Sequence, residues 1–400
     1  MLKTSFIYIL RSIILLLDLT IFLKKKDIIF HGYSGIPSGN NLSLYNYIKK
    51  HKLLNCDLYW TGQTQDCSII NIAYSRATPL RNAPLHVHLN YLFFLMRFKV
   101  IIVESAGDLS FYMRFLSNQC RIKVLLCHGF CLKGSGILAP NLSKKQIEIW
   151  NQVGSSFNII SVSSQLEKYM TSSTVNAPPH NCVVMGPQRP MGLKTLKESE
   201  RSEARNLIQD TYEVNLDNDQ QIMFYVPTHR DHIHAFKRPI LFGFDSVSQL
   251  NKELIKSNTL LFVREHRLSS SEIDNEASNI IYTSKAENID FHLLYAGIDG
   301  LITDYSGIFL EYLRTDIKFC FWQYDISDYR QARGFSISEN IFETGFQISH
   351  PSNFIKFLNL TSVSKEMRVS REFWHDLLYE NSTEESLSLT VDEIKRRAKL

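Results

Sequence analysis

Several short segments, each at the end of an apolar run, carry residues whose types and spacing could do chemistry. The first is His128-Gly129, which follows the run KVLLC and precedes FCLKGSG. An imidazole at the end of a strand can take a proton from an attacking hydroxyl, because histidine titrates near neutrality. Lys133 and the glycine-flanked Ser135 could hold phosphate oxygens in the loop that follows. The alternative is a buried histidine that ends a strand.

The second segment is PTHRD, residues 227–231, which follows the run IMFYV. Arg230 presents a planar guanidinium that can bind a phosphate through two hydrogen bonds, and Asp231 can orient it. Thr228 adds a hydroxyl. Two further histidines lie nearby, but their spacing from the carboxylates matches no known metal cage. We therefore predict no metal site here and leave dependence on a divalent metal open.

A hydroxyl-rich segment, LITDYSG at residues 301–307, joins an apolar run to a predicted helix that carries Glu311. Thr303, Ser306 and the backbone amides at the helix start could bind a phosphate without a glycine-rich loop. The alternative is that Asp304 or Ser306 only caps the helix.

Two other segments carry cations suited to a diphosphate. His266 follows the run LLFVRE and has an arginine on either side, so an anion is a more natural neighbour than a metal ion. The segment DYRQARGF, residues 328–335, adds Arg333 beside Gly334. Both segments could neutralise charge on a nucleotide-linked donor.

An alternating series of strands and helices must position these segments. Short apolar runs predict buried parallel strands, and helical segments separate them. Repeated units of this kind predict an α/β fold with doubly wound, Rossmann-like domains facing a cleft. Predicted strands lie at about 27–31, 57–60, 100–104, 124–127, 159–162, 222–226, 259–264, 280–282, 300–303 and 318–322, and predicted helices at about 42–52, 143–153, 164–170, 198–210, 246–256, 290–296, 307–314 and 365–400.

Length and composition narrow the class of protein. A chain of 400 residues exceeds what one hydrophobic core usually organises, which favours two domains with a hinge near 186–197. The formal charge of +4 is too small to indicate nucleic acid as a partner. Seven scattered cysteines in a chain of this size indicate reduced thiols rather than a disulfide framework.

The N-terminal stretch, residues 5–23, is mostly apolar. On a helix, Lys3, Arg11 and Asp18 fall within about 80° of one another and leave an apolar face. This pattern favours a helix in the membrane interface, with the lysines at 24–26 attracted to anionic headgroups. A spanning helix and a helix buried against the protein itself are the alternatives. No small-residue cleavage site follows, which argues against a signal peptide.

Taken together and in this order, the segments resemble the CDP-glycerol glycerophosphotransferases, the teichoic-acid primases and polymerases of bacterial envelopes. The resemblance runs from about His31 to Phe335 and includes SGNNLSLYNYI. It implies a GT-B-like architecture and transfer of glycerol phosphate from CDP-glycerol to a hydroxyl of a lipid-linked or polymeric acceptor, with release of CMP. The resemblance implies a role in teichoic acid or capsule synthesis, and the N-terminal segment with the lysines at 24–26 favours a place at the cytoplasmic face of the bacterial membrane; the oligomeric state is left open.

The resemblance also implies roles for single residues. His128 matches the family's proposed catalytic base, and His266 matches a second histidine near the donor phosphates. Gly129, Lys133 and Ser135 form the loop that could hold phosphate or acceptor. Donor-binding positions are Thr228, Arg230, Asp231, Thr303, Asp304, Ser306, Glu311, Arg333 and Gly334.

The implied domains are a membrane-associating segment at 1–26, an acceptor-side domain at 27–186, a CDP-donor domain at 187–364 and helices at 365–400 that pack back across the hinge. Departures from the family pattern at His229, Cys131, Arg267 and Gly307 leave the donor and the acceptor open. CDP-ribitol or a nucleotide sugar is the first alternative. A catalytically silent membrane scaffold is the second.

Overall fold

The computed structural model describes residues 2–20, 26–31, 37, 39–61, 70–72, 85–106, 111–127, 129–189, 197–228, 241–264, 277–283 and 291–400. The chain divides into two compact units. The first comprises Met1–Phe130, Ser135–Pro190 and Leu377–Leu400, and the second comprises Cys131–Gly134 and Met191–Asp376.

The first unit is built on a parallel sheet of short apolar strands that are largely buried, as strands covered on both faces must be. Its strands are β1 (Asp27–His31), β2 (Leu58–Thr61), β3 (Ile70–Ile72), β4 (Phe98–Val103), β5 (Ile122–Leu125), β6 (Ile159–Val162) and β7 (Cys182–Val184). They lie in the order β3-β2-β1-β4-β5-β6-β7. The order reverses between β1 and β4, and such a switch point opens a crevice at the carboxyl edge of a sheet.

Helices cover both faces of this sheet, because alternate strand residues point to opposite sides. Phe30 lies in one apolar cluster, which also contains Leu44. Ile29 lies in the other, with Ile14 and Leu95. The helices are α1 (Leu2–Thr20), α2 (Gly39–His51), α3 (Leu85–Leu95), α4 (Phe111–Phe115), α5 (Lys144–Gly154) and α6 (Gln165–Val175). Thus α2 packs on one face, and α1 and α3 pack on the other.

The second unit repeats this plan. Its strands are β8 (Gln221–Val226), β9 (Thr259–Val263), β10 (Ile280–Tyr282), β11 (Gly300–Thr303), β12 (Lys318–Phe321) and β13 (Phe346–Gln347). All are parallel, in the order β10-β9-β8-β11-β12-β13, so the switch point lies between β8 and β11. The helices are α7 (Glu198–Tyr212), α8 (Val247–Lys256), α9 (Ile326–Ala332), α10 (Pro351–Leu358) and α11 (Lys365–Leu378).

The last helix, α12 (Thr383–Ala398), returns the chain to the first unit. Val391 and Ile394 are buried in the same cluster as α2. The side-chain Nε2 of Gln188 donates to the Ser386 hydroxyl at 2.7 Å, which ties α12 to the segment after β7. The core of the first unit is therefore completed only by the C-terminal residues.

The two parallel sheets confirm the predicted α/β class. The edge strands β3, β7 and β13 were not expected from the sequence. The α-helices expected at 290–296 and 307–314 are instead 3₁₀ helices at Phe291–Gly297 and Gly307–Tyr312.

The N-terminal helix packs through the face that carries its charges. Asp18 is buried and forms an ion pair with Arg121, and its second carboxylate oxygen accepts from the Ser117 amide at 2.8 Å. Arg11 lies over the ring of Phe115, 5.8 Å from its centre. Arg121 therefore stabilises the charge of Asp18 inside the protein, a pairing that the sequence did not predict.

The opposite face of α1 exposes large apolar side chains. Ile9, Ile13, Leu16 and Leu19 are 58%, 48%, 62% and 46% exposed. Within the part of the chain that the structure describes, no helix has the length and apolar character needed to cross a membrane.

The buried pair between Asp18 and Arg121 yields a stability prediction. Burial lowers the pKa of Arg121, and the Asp18 carboxylate opposes that shift. We expect Asp18→Ala to lower the free energy of unfolding by about 3–5 kcal/mol, because it leaves a buried guanidinium without its counter-ion. Urea unfolding measures the change.

The matched control is Glu253→Ala, which removes an exposed ion pair with Lys256 on α8. It should cost less than about 1 kcal/mol. Equal losses in the two variants would show that the Asp18 pair does not anchor α1.

Candidate active site

In the second unit, the motif residues meet where β8 and β11 end. Asp304, which directly follows β11, is fully buried. One of its carboxylate oxygens accepts from the Thr228 amide at 2.8 Å and from the Thr228 hydroxyl at 2.7 Å. Thr303 donates from its hydroxyl to the carbonyl of Val226 at 2.7 Å. These bonds join the ends of two neighbouring strands at the switch point of the sheet.

The turn after Asp304 begins a short 3₁₀ helix. The Tyr305 amide donates to the Asp304 carboxylate, which fixes the start of the turn. Ser306 occupies the N-cap position, is half-buried and makes no side-chain capping bond. Capping by its hydroxyl, one of the two expectations for this residue, is therefore not what holds the helix. Glu311 is buried within the same 3₁₀ helix.

Aromatic contacts join this turn to the segment DYRQARGF. The rings of Tyr305 and Tyr329 stack with their centres 3.8 Å apart. The Tyr305 hydroxyl donates to Asp325 at 2.9 Å, directly before α9. Arg333 is the C-cap residue after α9 and is half-buried, and Gly334 follows with φ +64°, a value that favours glycine. The tyrosine stack thereby sets where Arg333 stands relative to the turn at Ser306.

The chain at 131–134 also belongs to this unit. Lys133 pairs with Phe335 in an antiparallel bridge. The Ser336 amide donates to the Leu132 carbonyl at 2.8 Å, and the Gly134 amide donates to the Gly334 carbonyl at 3.3 Å. Two motifs that are far apart in sequence therefore have adjacent backbones, which brings the segments of Lys133 and Arg333 together.

The first unit has its own polar cluster at its switch point. Glu104 directly follows β4, is buried, and accepts from the Asn40 amide at 2.8 Å. The Asn40 side chain donates to the Cys127 carbonyl at 2.5 Å. The neighbouring Asn41 donates to the His31 carbonyl at 2.9 Å. Glu104 is not among the predicted site residues, although a carboxylate at the end of an apolar run is the signal that could have found it.

The backbone at this edge of the sheet has several residues with positive φ. Gly39 has φ +61°, and a Cβ atom at this position would lie 2.0 Å from a Glu104 carboxylate oxygen. Cys127 has φ +61° and Gly129 has φ +126°, so left-handed backbone stands on both sides of position 128. Ser135 precedes the 3₁₀ helix Gly136–Leu138 and makes no side-chain capping bond.

Four predicted site residues lie outside the described residues: His128, Arg230, Asp231 and His266. The roles assigned to these four residues stay predictions. His229, one of the departures from the family pattern, also lies outside the described residues. Among the residues that are described, no group of three His, Cys, Asp or Glu side chains could hold a metal ion. The question of a divalent metal therefore stays open.

The family model for CDP-Glycerol:Poly(glycerophosphate) glycerophosphotransferase matches residues 13–386. The chain is 25% identical over 324 residues to the teichoic acid poly(glycerol phosphate) polymerase of Bacillus subtilis (strain 168), covering 78% of this chain and 41% of that protein. It is 25% identical over 255 residues to the teichoic acid glycerol-phosphate primase of the same organism, covering 63% and 62%.

The fold has a solved counterpart. A structure of the wall teichoic acid polymerase TagF soaked with CDPG superposes with a TM-score of 0.74 at 19% identity, covering 97% of this chain and 93% of that one. The chain spans less than two thirds of the length of either Bacillus relative. With the family pattern matched from residue 13 to residue 386, the chain belongs to the CDP-glycerol:poly(glycerophosphate) glycerophosphotransferase family.

Proposed function

We propose that this chain transfers glycerol phosphate from CDP-glycerol to a hydroxyl of a lipid-linked or polymeric acceptor and releases CMP, in teichoic acid or capsule synthesis. The observation that carries the proposal is the family match across residues 13–386, which includes every motif identified in the sequence. The polymerase and primase relatives are named for glycerol phosphate chemistry.

The proposed reaction is an in-line displacement at the β-phosphorus of CDP-glycerol. The acceptor oxygen forms a bond to this phosphorus while the bond to the oxygen bridging the two phosphates breaks, and CMP leaves. His128 takes the proton of the acceptor hydroxyl. His266, Arg230 and Arg333 stabilise charge on the transferring phosphate.

The second unit would bind the donor, and hydrogen bonds hold together the strand ends from which its loops leave. Asp304 and Thr303 use their side-chain oxygens to join the ends of β8 and β11. A carboxylate would repel a diphosphate, so we assign Asp304 to bracing the loops rather than to phosphate contact. Ser306, Gly334 and Asp231 complete the donor side, and the first unit provides the acceptor side.

The N-terminal helix supports a peripheral position at the cytoplasmic membrane face. Its apolar side chains at Ile9, Ile13 and Leu16 are exposed, and Lys26 is exposed where the basic triplet ends. Exposed leucine and isoleucine on one helix face, next to lysines, suit an interface rich in anionic lipid. The charged face of the same helix is held by the first unit, so the helix would lie on the membrane rather than enter it.

The role of His128 is tested by replacing it. We expect His128→Ala to lower kcat for CMP release by about 10²–10⁴, the usual contribution of a general base. The assay uses purified protein, CDP-glycerol and a lipid-linked acceptor. The control is His180→Ala, an exposed histidine of the first unit, which should leave kcat unchanged.

Turnover that survives His128→Ala would remove this residue from the mechanism. Product masses from a panel of CDP-glycerol, CDP-ribitol and nucleotide sugars identify the donor, because each transferred group adds a different mass. Absence of turnover with every donor would favour the silent scaffold.

The bracing role of Asp304 predicts an effect on donor binding. Asp304→Ala leaves the amides of Thr228 and Tyr305 without their acceptor, and we expect KM for CDP-glycerol to rise roughly tenfold as the loops relax. Asp304→Asn keeps one acceptor oxygen and should recover most of the loss.

The matched control for this prediction is Asp299→Ala. Asp299 lies just before β11, at the opposite edge of the same sheet, and accepts from the Ile222 amide at 2.8 Å. Its loss should lower stability without changing KM. A KM unchanged by Asp304→Ala would contradict the bracing role.

Membrane association is tested with vesicles of phosphatidylglycerol and phosphatidylethanolamine. Replacing Ile9, Ile13 and Leu16 together by Gln should lower co-sedimentation about tenfold or more, because apolar burial is lost while the packed face is untouched. The control replaces Val369 and Phe373, which are each 60% exposed on α11. Equal pelleting of the triple variant and the parent would exclude α1 as the contact.

A further inference from the structure

Three chain segments converge at the carboxyl edge of the first sheet. Glu104 stands after β4, Asn40 lies in the first turn of α2, and Cys127 stands after β5. Glu104 is 3% exposed and Asn40 is 5% exposed, so both polar groups depend on protein partners rather than water. This cluster lies at the switch point, where open α/β sheets place their functional loops.

Two hydrogen bonds connect Glu104, through Asn40, to the backbone at Cys127. The carboxylate accepts from the Asn40 amide at 2.8 Å, which fixes the first turn of α2. The Asn40 side chain then donates to the Cys127 carbonyl at 2.5 Å and lies 3.5 Å from the Leu126 carbonyl. Gly39 permits this approach, because a Cβ there would collide with the carboxylate.

The last residue in this series of hydrogen bonds, Cys127, has a strained backbone conformation. Cys127 has φ +61°, and a non-glycine residue in the left-handed region costs about 1 kcal/mol or more. Such strain persists where the surrounding structure holds it, and the Asn40 bond to the Cys127 carbonyl is a contact that does so. The next residue in the chain is His128.

We propose that Asn40, held by Glu104, is a positioning residue for His128. It fixes the backbone conformation of Cys127, the residue directly before the proposed base. The inference rests on the proposed function, since it assigns Asn40 to the reaction only through His128. Neither Asn40 nor Glu104 contacts substrate in this proposal.

Asn41 provides a matched control. It is fully buried, lies next to Asn40 on α2, and donates to the carbonyl of His31 at 2.9 Å. It thus makes the same kind of bond, but to the end of β1 rather than to the segment before His128. Loss of either asparagine should lower the melting temperature of the full chain by similar amounts.

The experiment measures CMP release by the full chain with CDP-glycerol and a lipid-linked acceptor. We expect Asn40→Ala to lower kcat about 10–100-fold, with KM for CDP-glycerol changed less than about twofold, because only the orientation of the base is lost. Asn41→Ala should leave kcat within about twofold of the parent. Glu104→Gln keeps an acceptor oxygen for the Asn40 amide and should retain most activity, whereas Glu104→Ala should behave like Asn40→Ala.

A double-variant cycle separates positioning from general destabilisation. In the His128→Ala background, Asn40→Ala should cause no further loss, since the group that it orients is gone. An equal loss in both backgrounds, or no loss of kcat in Asn40→Ala alone, would overturn the positioning role and leave the proposed function intact. If His128→Ala itself has no effect, the proposed base fails and this inference fails with it.

Where residual turnover is too low to measure, the imidazole of His128 reports directly. Its NMR signal is identified by its loss in His128→Ala. We expect Asn40→Ala to shift this signal and Asn41→Ala to leave it in place. A signal that is unchanged in Asn40→Ala would contradict the inference.

Discussion

The loops that leave each sheet at its switch point depend on one interaction. A buried carboxylate there accepts a hydrogen bond from a backbone amide of a neighbouring loop. In the second unit, Asp304 follows β11 and accepts from the Thr228 amide. In the first unit, Glu104 follows β4 and accepts from the Asn40 amide. In each case the carboxylate stands just past the strand on one side of the switch point, and the amide belongs to the chain that left the strand on the other side. The parallel strands are thereby joined at the edge where their loops diverge.

This arrangement matters because the hydrogen bonds between parallel strands stop where the strands end. The loops that leave the carboxyl ends of neighbouring strands therefore need other contacts to hold them together. A charged acceptor that bonds to backbone amides makes a strong hydrogen bond in a buried setting, and it needs no flexible side chain from the loop itself. Loops held in this way can present Ser306 or Arg333 in a fixed direction. Pre-organised groups of this kind are what phosphoryl transfer requires, since the protein contributes mainly position and charge.

The first unit shows a second constraint, the completion of its core by the two ends of the chain. Near the N-terminus, α1 is held by the buried pair of Asp18 and Arg121. Near the C-terminus, α12 buries Val391 and Ile394 against the opposite face of the sheet. An ion pair inside an apolar cluster specifies how α1 packs, and the face that remains outside is apolar. The same helix is therefore part of the fold on one face and exposes apolar side chains on the other.

Much of the fold followed from local patterns. Short apolar runs located β1, β6, β10 and β11 with the bounds that the structure shows, because strands buried on both faces are continuous apolar segments. The position of motif residues directly after such runs predicted that they would lie at the carboxyl edges of the sheets. For Thr228, Thr303 and Asp304 the structure shows this placement.

What the sequence by itself determined was the class of fold, the strand-end position of the motif residues and the resemblance to a family of glycerophosphotransferases. Tertiary structure alone decided which strand ends are neighbours, and with them the bonds from Glu104 to Asn40 and from Asn40 to Cys127. It also decided that Asp18 points inward, since an isolated charge on an apolar helix indicates a solvent-facing side until its partner Arg121 is known. The physical reason is that periodicity and composition are local properties, whereas these hydrogen bonds and ion pairs join residues whose proximity depends on strand order.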